Sequence, residues 1–207
     1  MKVEDNLSKR NRQAIKIERI FRVLLSIPYV ERSVRKVSKE AEADYHWTYN
    51  TLKELEREGI VQGTKIKDPK SLFRKWADRP TSVLFREYHI QDPKKFIREI
   101  ELDYAMTTYY AENQIGSYLI PRIMDIYIHE EDSNLWHEKL MENGYVGKGN
   151  VRILLADEHV FWDSINEGPL KTVSIQQLIV DLMREGGVCT EAAEILVERY
   201  YGCKSDL

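Results

Sequence analysis

The chain has 207 residues, 43% hydrophobic and 31% charged, with a formal net charge of −3. That balance excludes a disordered or fibrous polymer and leaves room for two folded units. No apolar run approaches a membrane span, the opening MKVEDNLSKRNR has no apolar signal core, and Cys189 and Cys203 are too few for a disulfide framework, so a cytoplasmic protein with free core thiols is expected. The charge is uneven: residues 1–80 carry 19 Lys and Arg against 12 Asp and Glu, a net of +7, and the remainder carries 12 against 22, a net of −10. Such a split is expected where one end meets a polyanion.

In chain order, Ser8 is placed to cap a helix from Lys9, with Lys9, Arg10 and Arg12 exposed in its first turn against the helix dipole. Ala14, Ile17, Phe21, Leu24 and Leu25 recur at spacings of three and four as its inward stripe, and Pro28 ends it. A second helix is expected over 33–41, with Val34, Val37 and Ala41 inward and Arg32, Arg35, Lys36 and Lys39 outward. Residues 42–44 turn the chain and Asp44 caps a third helix whose inward row is Thr48, Leu52 and Leu55. The opposite row is Tyr45, His46, Tyr49, Asn50 and Lys53, all with hydrogen-bonding tips and none aliphatic. Such a row suits base edges in a major groove: Asn50 to adenine, Lys53 to a guanine or a phosphate. Trp47, at the edge of the row, reads as a core anchor. Glu54, Glu56 and Glu58 fall at the end of the helix away from the groove, and Gly59 stops it.

Ile60-Val61 and Lys65-Ile66-Lys67 then read as a short hairpin around Gln62-Gly63-Thr64. Lys65 and Lys67, with Arg35 and Lys36, are placed for phosphates, which supply affinity without sequence information. Two helices, a tight turn and a hairpin predict a winged helix-turn-helix over 1–80 and make double-stranded DNA its first partner. A protein-interaction module is the alternative for that fold. Asp68-Pro69 opens a closing helix with Leu72, Phe73 and Trp76 inward, and Arg79-Pro80 marks the boundary.

Residues 81–207 read as a small α/β domain with a mixed sheet, so the whole chain is α+β. Strands are expected over 82–90, 104–107, 123–128 and 151–156. Helices are expected from Asp92-Pro93 to Ile100, over 108–116 and 134–142, after Ser174, and after Thr190, with a turn region at 144–150. A strand ending Thr107-Thr108, a helix, then a strand opening on Asp125 resembles the start of a nucleotidyltransferase fold. Such enzymes hold a triphosphate on Gly-Ser and divalent metals on two carboxylates spaced by two, which period two puts on one face. Here Thr107-Thr108 replaces Gly-Ser, Tyr127 holds the second carboxylate position, and Asp157 and Glu158 fall past the end of their strand. Gly116-Ser117 follows the helix rather than preceding it. A non-catalytic relative is therefore expected, with a metal-dependent nucleotidyltransferase using Asp125 as the alternative.

His46, His89, His129, His137 and His159 lack metal-ligand spacing, and His129 with Glu130, Glu131 and Asp132 reads as a solvated acidic loop. Gly147-Lys148-Gly149 lacks the rest of a P-loop and reads as a turn. No cofactor is expected.

The chain as a whole resembles the AbiEi-type transcriptional regulators and antitoxins of type IV toxin–antitoxin systems. The resemblance rests on the helix-turn-helix and hairpin, DPKSLFRKWAD, YAMTTYYAENQIG followed by MDIYI, GNVRILLADEHVFW, SIQQLIVDL and EAAEIL. It implies a repressor of its own operon. It also implies a C-terminal domain that counters a nucleotidyltransferase-like toxin without forming a stable complex with it. Two copies on an inverted-repeat operator, as a homodimer or as monomers assembling on DNA, accord with such readers.

Overall fold

The structure, a computed structural model, describes residues 2–79, 82–166 and 170–202, with side chains from residue 12 onward. It is a mixed α and β chain in two units, Met1–Thr81 with Ile195–Leu207, and Ser82–Glu194. This division falls next to the boundary expected at residue 80, and it groups the end of the chain with the first unit. Among the described residues no helix is long and apolar enough to cross a membrane.

In the first unit, α1 (Lys2–Ser26) starts before the expected Lys9, so Ser8 lies within the helix instead of capping it. The Lys9 and Arg10 side chains lie outside the described residues, as does Cys203. The inward stripe is wider than expected, because Ile20 and Val23 are buried with Phe21, Leu24 and Leu25. Then come α2 (Val34–Glu40), capped by Ser33, and α3 (Tyr45–Arg57), capped by Asp44. Gly59 at φ +74° ends α3, donating to Glu56 O while Ile60 N donates to Leu55 O, the paired bonds of a left-handed helix stop. β1 (Val61–Gln62) and β2 (Lys65–Ile66) form a hairpin shorter than expected, with only Gly63-Thr64 between the strands. α4 (Pro69–Ala77) buries Leu72, Phe73 and Trp76, and the Arg22 guanidinium of α1 lies 5.3 Å over the Trp76 ring. Burying Leu72 and Phe73 stabilises this packing by about 1.5–3 kcal/mol each.

One expectation fails in a way that explains the local packing. Arg32, expected outward, is buried. Its guanidinium donates to Val23 O at 2.7 Å, one of the carbonyls α1 leaves unmatched at its C-terminus, and pairs with Glu40 at 3.0 Å. Its backbone is held from the other side: Arg32 N donates to Thr64 Oγ1 at 2.7 Å, and that hydroxyl donates to Arg32 O at 2.9 Å. One residue thus ties the end of α1 and the start of α2 to the hairpin turn.

The second unit is a five-stranded sheet of β3 (Val83–Ile90), β4 (Ala105–Thr107), β5 (Met124–Ile128), β6 (Gly144–Val146) and β7 (Val151–Leu155), ordered β4-β5-β7-β3-β6. β5 and β7 run parallel and the other pairs antiparallel. Helices α5 (Pro93–Glu99), α6 (Thr108–Ile115), α7 (Ser133–Asn143), α8 (Ile175–Glu185) and α9 (Val188–Tyr201) complete the chain. On one sheet face Met106, Met124, Ile126, Ile128, Val151 and Ile153 meet Phe96 and Ile97 of α5 and Trp136 and Leu140 of α7. The two-residue period sends Thr107, Asp125, Tyr127 and Arg152 to the other face.

Two expectations change here. Gly144–Val146, read as part of a turn, is an edge strand paired with Tyr88–Ile90; only glycine fits at 144, where a Cβ would stand 2.0 Å from His89 O. α9 begins at Val188, so Thr190 is inside the helix rather than its cap. Its last turns belong to the first unit, where the Tyr201 hydroxyl donates to Leu25 O at 3.0 Å and its ring meets Phe73 edge-on.

Candidate nucleic-acid interface

The 13-residue helix α3 has a wide polar side because its apolar requirement is met by four residues, Thr48, Thr51, Leu52 and Leu55. Asp44 starts it by accepting the Trp47 N–H at 3.1 Å, and that bond holds the Asp44 carboxyl below its ordinary value. Tyr45, His46, Tyr49, Asn50 and Lys53 are all exposed, as expected. Tyr45 stacks on Tyr49 at 6.5 Å and meets His46 edge-on at 5.6 Å, while Lys53 Nζ lies 5.7 Å from the Tyr49 ring. The side chains of Tyr45, His46 and Asn50 make no hydrogen bond among the described residues. Trp47 is half-buried at the edge of this row. The row is continuous, polar at its tips and flat on its aromatic faces.

The cations are less free. Lys53 Nζ donates to Glu56 Oε2 at 2.6 Å, an ion pair that holds Lys53 above and Glu56 below their ordinary values. Glu56 Oε1 accepts the Gly63 N–H at 3.1 Å, so this carboxylate, in the last turn of α3 where it was expected, links the helix to the hairpin turn. Lys65 lies 3.9 Å from Glu31 and Lys36 lies 3.9 Å from Glu40, while Arg35 and Lys67 are exposed. A cavity of about 230 Å³ between α3 and the turn is lined by Tyr49, Lys53 and Glu56 together with Glu31, Gly63 and Thr64. Glu54 and Glu58 face elsewhere and hold Lys75 of α4 at 3.4 and 2.6 Å. The structure thus gathers Tyr45, His46, Tyr49 and Lys53 into one row and brings the turn up beside it. Two carboxylates at that turn, Glu31 and Glu56, join a site that sequence reasoning had composed of cations and neutral polar groups. Net charge along the chain carries no signal for them.

In the second unit the residues that invited comparison with a nucleotidyltransferase are already engaged. Asp125 is fully buried; Arg152 grips it with two nitrogens and the Thr108 hydroxyl donates to it. Thr108 reaches that position with φ at +47°, a region β-branched residues avoid. Burial pushes the Asp125 carboxyl up against the pull of Arg152, and the pairing raises Arg152 further. Arg152 also meets Glu185 at 2.9 Å. Beside it Asp181 accepts from Thr107 at 2.7 Å, Gln177 at 2.9 Å and Tyr127 at 3.2 Å. A cleft of about 160 Å³ opens over this network.

The remaining candidates are structural. Glu112 takes the N–H groups of Tyr118 and Leu119, so the Gly116-Ser117 loop spends its amides on the protein itself. Gly147 N donates to Glu87 O in a turn. His129 lies 3.0 Å from Asp103 and stacks on Phe161. Among the described residues no group of three or more His, Cys, Asp or Glu is arranged to hold a metal ion. Cys189 is a free buried thiol whose titration burial pushes up. Comparison of the chain with protein-family models, with curated proteins and with solved structures finds no match.

Proposed function

We propose that the protein is a sequence-specific regulator that binds double-stranded DNA through a winged helix-turn-helix in its first unit. One observation carries this reading. α3 presents an uninterrupted exposed row of Tyr45, His46, Tyr49, Asn50 and Lys53 beside a lysine-bearing hairpin, in a segment of net charge +7. Helices that enter a major groove present such donors and acceptors, and a basic surround supplies the phosphate attraction.

The resemblance of its six segments adds that the regulator is an autorepressing antitoxin, and the common practice of such DNA readers adds two copies, as a homodimer or as paired monomers, on an inverted repeat. Its second unit then acts against a nucleotidyltransferase-type toxin rather than as an enzyme. The engagement of Asp125 by Arg152 and Thr108 supports a non-catalytic second unit.

The test is binding to a duplex selected from a random library by the wild-type protein. Replacing Asn50 and Lys53 together by alanine is expected to weaken that binding by about 1–3 kcal/mol for each side chain that reads a base. A double variant with full affinity and full sequence preference would refute the assigned face. For the antitoxin role, coexpression with a nucleotidyltransferase toxin encoded beside the gene should restore growth, and a failure to do so would reduce the protein to a plain repressor.

A further inference from the structure

Glu56 makes two bonds on two different elements. One oxygen holds the Lys53 ammonium of α3 at 2.6 Å, and the other holds the Gly63 N–H of the hairpin turn at 3.1 Å. Gly63 turns its amide this way at φ +61°, a left-handed conformation open to glycine. A lysine and a backbone amide converging on one anion is the donor set that DNA-binding proteins offer to a phosphate oxygen. A second carboxylate reinforces the arrangement: Glu31 stands against the same turn, 3.4 Å from where a Gly63 Cβ would lie, and 3.9 Å from Lys65.

We propose that Glu56 is a specificity-determining residue: in the unbound protein its carboxylate occupies the place of a DNA phosphate between Lys53 and the hairpin turn, and a duplex must displace it to bind. The proposal rests on the DNA reading above and adds a consequence to it. Any duplex offers phosphates, but exchanging one anion for another at Lys53 and Gly63 gains little. A matched duplex also offers base edges to Tyr45, His46 and Asn50, and those interactions drive the exchange. Glu56 therefore suppresses binding to arbitrary DNA more than binding to the target. The row is read together with the turn, because one carboxylate latches both.

The experiment compares wild type, Glu56→Gln and Glu54→Gln by fluorescence anisotropy on the selected duplex and on a scrambled duplex of equal length, across a salt series. Glutamine keeps the shape and can still accept the Gly63 N–H, and thermal unfolding checks the fold. Glu54→Gln removes the same charge from the same helix but faces Lys75 of α4. For Glu56→Gln, scrambled-duplex binding is expected to tighten roughly threefold to tenfold, with a salt slope steeper by about 0.9, the signature of one more neutralised phosphate. The ratio of specific to scrambled affinity should fall by a similar factor, and Glu54→Gln should move neither. Unchanged scrambled binding in Glu56→Gln, or an equal gain in Glu54→Gln, overturns the proposal while leaving the DNA reading intact. Loss of selected binding alone would instead make Glu56 a reader of a cytosine amino group, and would equally overturn it. If the wild-type protein selects no duplex, the DNA reading itself fails and takes the latch with it.

Discussion

Replacing Arg152 by alanine tests what the buried charges of the second unit are for. In the native protein Arg152 lies 2.7 Å from Asp125 and 2.9 Å from Glu185. Its removal leaves a fully buried carboxylate with the Thr108 hydroxyl as its remaining partner. Breaking a buried pair from one side costs about 3–5 kcal/mol. The Arg152 side chain is 20% exposed. Water can thus enter the gap, and the lower end, about 3 kcal/mol, is the expected loss near neutral pH.

The pH dependence of that loss follows from burial. Burial already pushes the Asp125 carboxyl up in the presence of Arg152, and without the guanidinium it must rise further. A carboxyl whose folded value exceeds its unfolded one, about 3.9, binds protons more tightly in the folded state. The variant is therefore closest to wild type below that unfolded value and loses stability as pH rises through the raised folded value. Urea unfolding of the full chain at several pH values measures the deficit. Hydrogen exchange of β5 and β7 peptides assigns it to this unit, since two units need not unfold together. Adding Asp125→Asn to the variant should recover most of the loss by removing the stranded charge. A deficit that stays flat or shrinks toward neutral pH, or a double variant no more stable than the single one, would refute the reasoning.

Two further outcomes are expected in the first unit. Lys65→Ala with Lys67→Ala should flatten the salt dependence of DNA binding by roughly 0.9 for each phosphate no longer neutralised while leaving sequence preference unchanged, which binding isotherms over a salt series would check. Asp68 caps α4, accepting from Ser71 N–H at 3.0 Å and the Ser71 hydroxyl at 2.6 Å, and these bonds hold its carboxyl below the ordinary value. Asp68→Ala should cost about 1 kcal/mol in urea unfolding. Because the folded value is depressed, that contribution is present above the unfolded value near 3.9 and is lost as pH falls through the folded one, so wild type and variant should converge in acid.

What was legible in the sequence was local. The Asp44 cap, the spacing of Thr48, Leu52 and Leu55, and Gly59 set the limits of α3 within a residue or two, because a helix declares itself through neighbours three and four apart. The buried run at β5 was equally plain. What was missed depends on residues far apart in the chain. Arg32 is buried because carbonyls at the end of α1 need donors, a demand its neighbours in the sequence do not reveal. β6 is three residues long and exists through pairing with Tyr88–Ile90, over fifty positions earlier. The last turns of α9 join the first unit through Tyr201 and Leu25, 176 positions apart. At the candidate site the row on α3 could be read from period alone. Glu56 could not be assigned, because its partner at Gly63 lies beyond the end of the helix.

The two units differ in where their polar groups spend their bonds, and the proposed function draws on that difference. A carboxylate that binds a metal or takes a proton in a reaction needs lone pairs open to the ligand. Asp125 spends its own on Arg152 and Thr108, and Asp181 accepts from Thr107, Tyr127 and Gln177. Both acids are among the buried residues of the unit. Freeing Asp125 would strand a charge, at the cost worked out for Arg152. On α3 the situation is reversed. Tyr45, His46 and Asn50 form no side-chain hydrogen bonds among the described residues, and their alternative in the unbound state is water. Exchanging water for a base edge strands nothing, and a wrong base leaves a donor or acceptor unmatched, which is the asymmetry that makes recognition selective. A binding surface needs polar groups that water will release. The first unit has them in a row, whereas the charges of the second already hold its sheet to its helices.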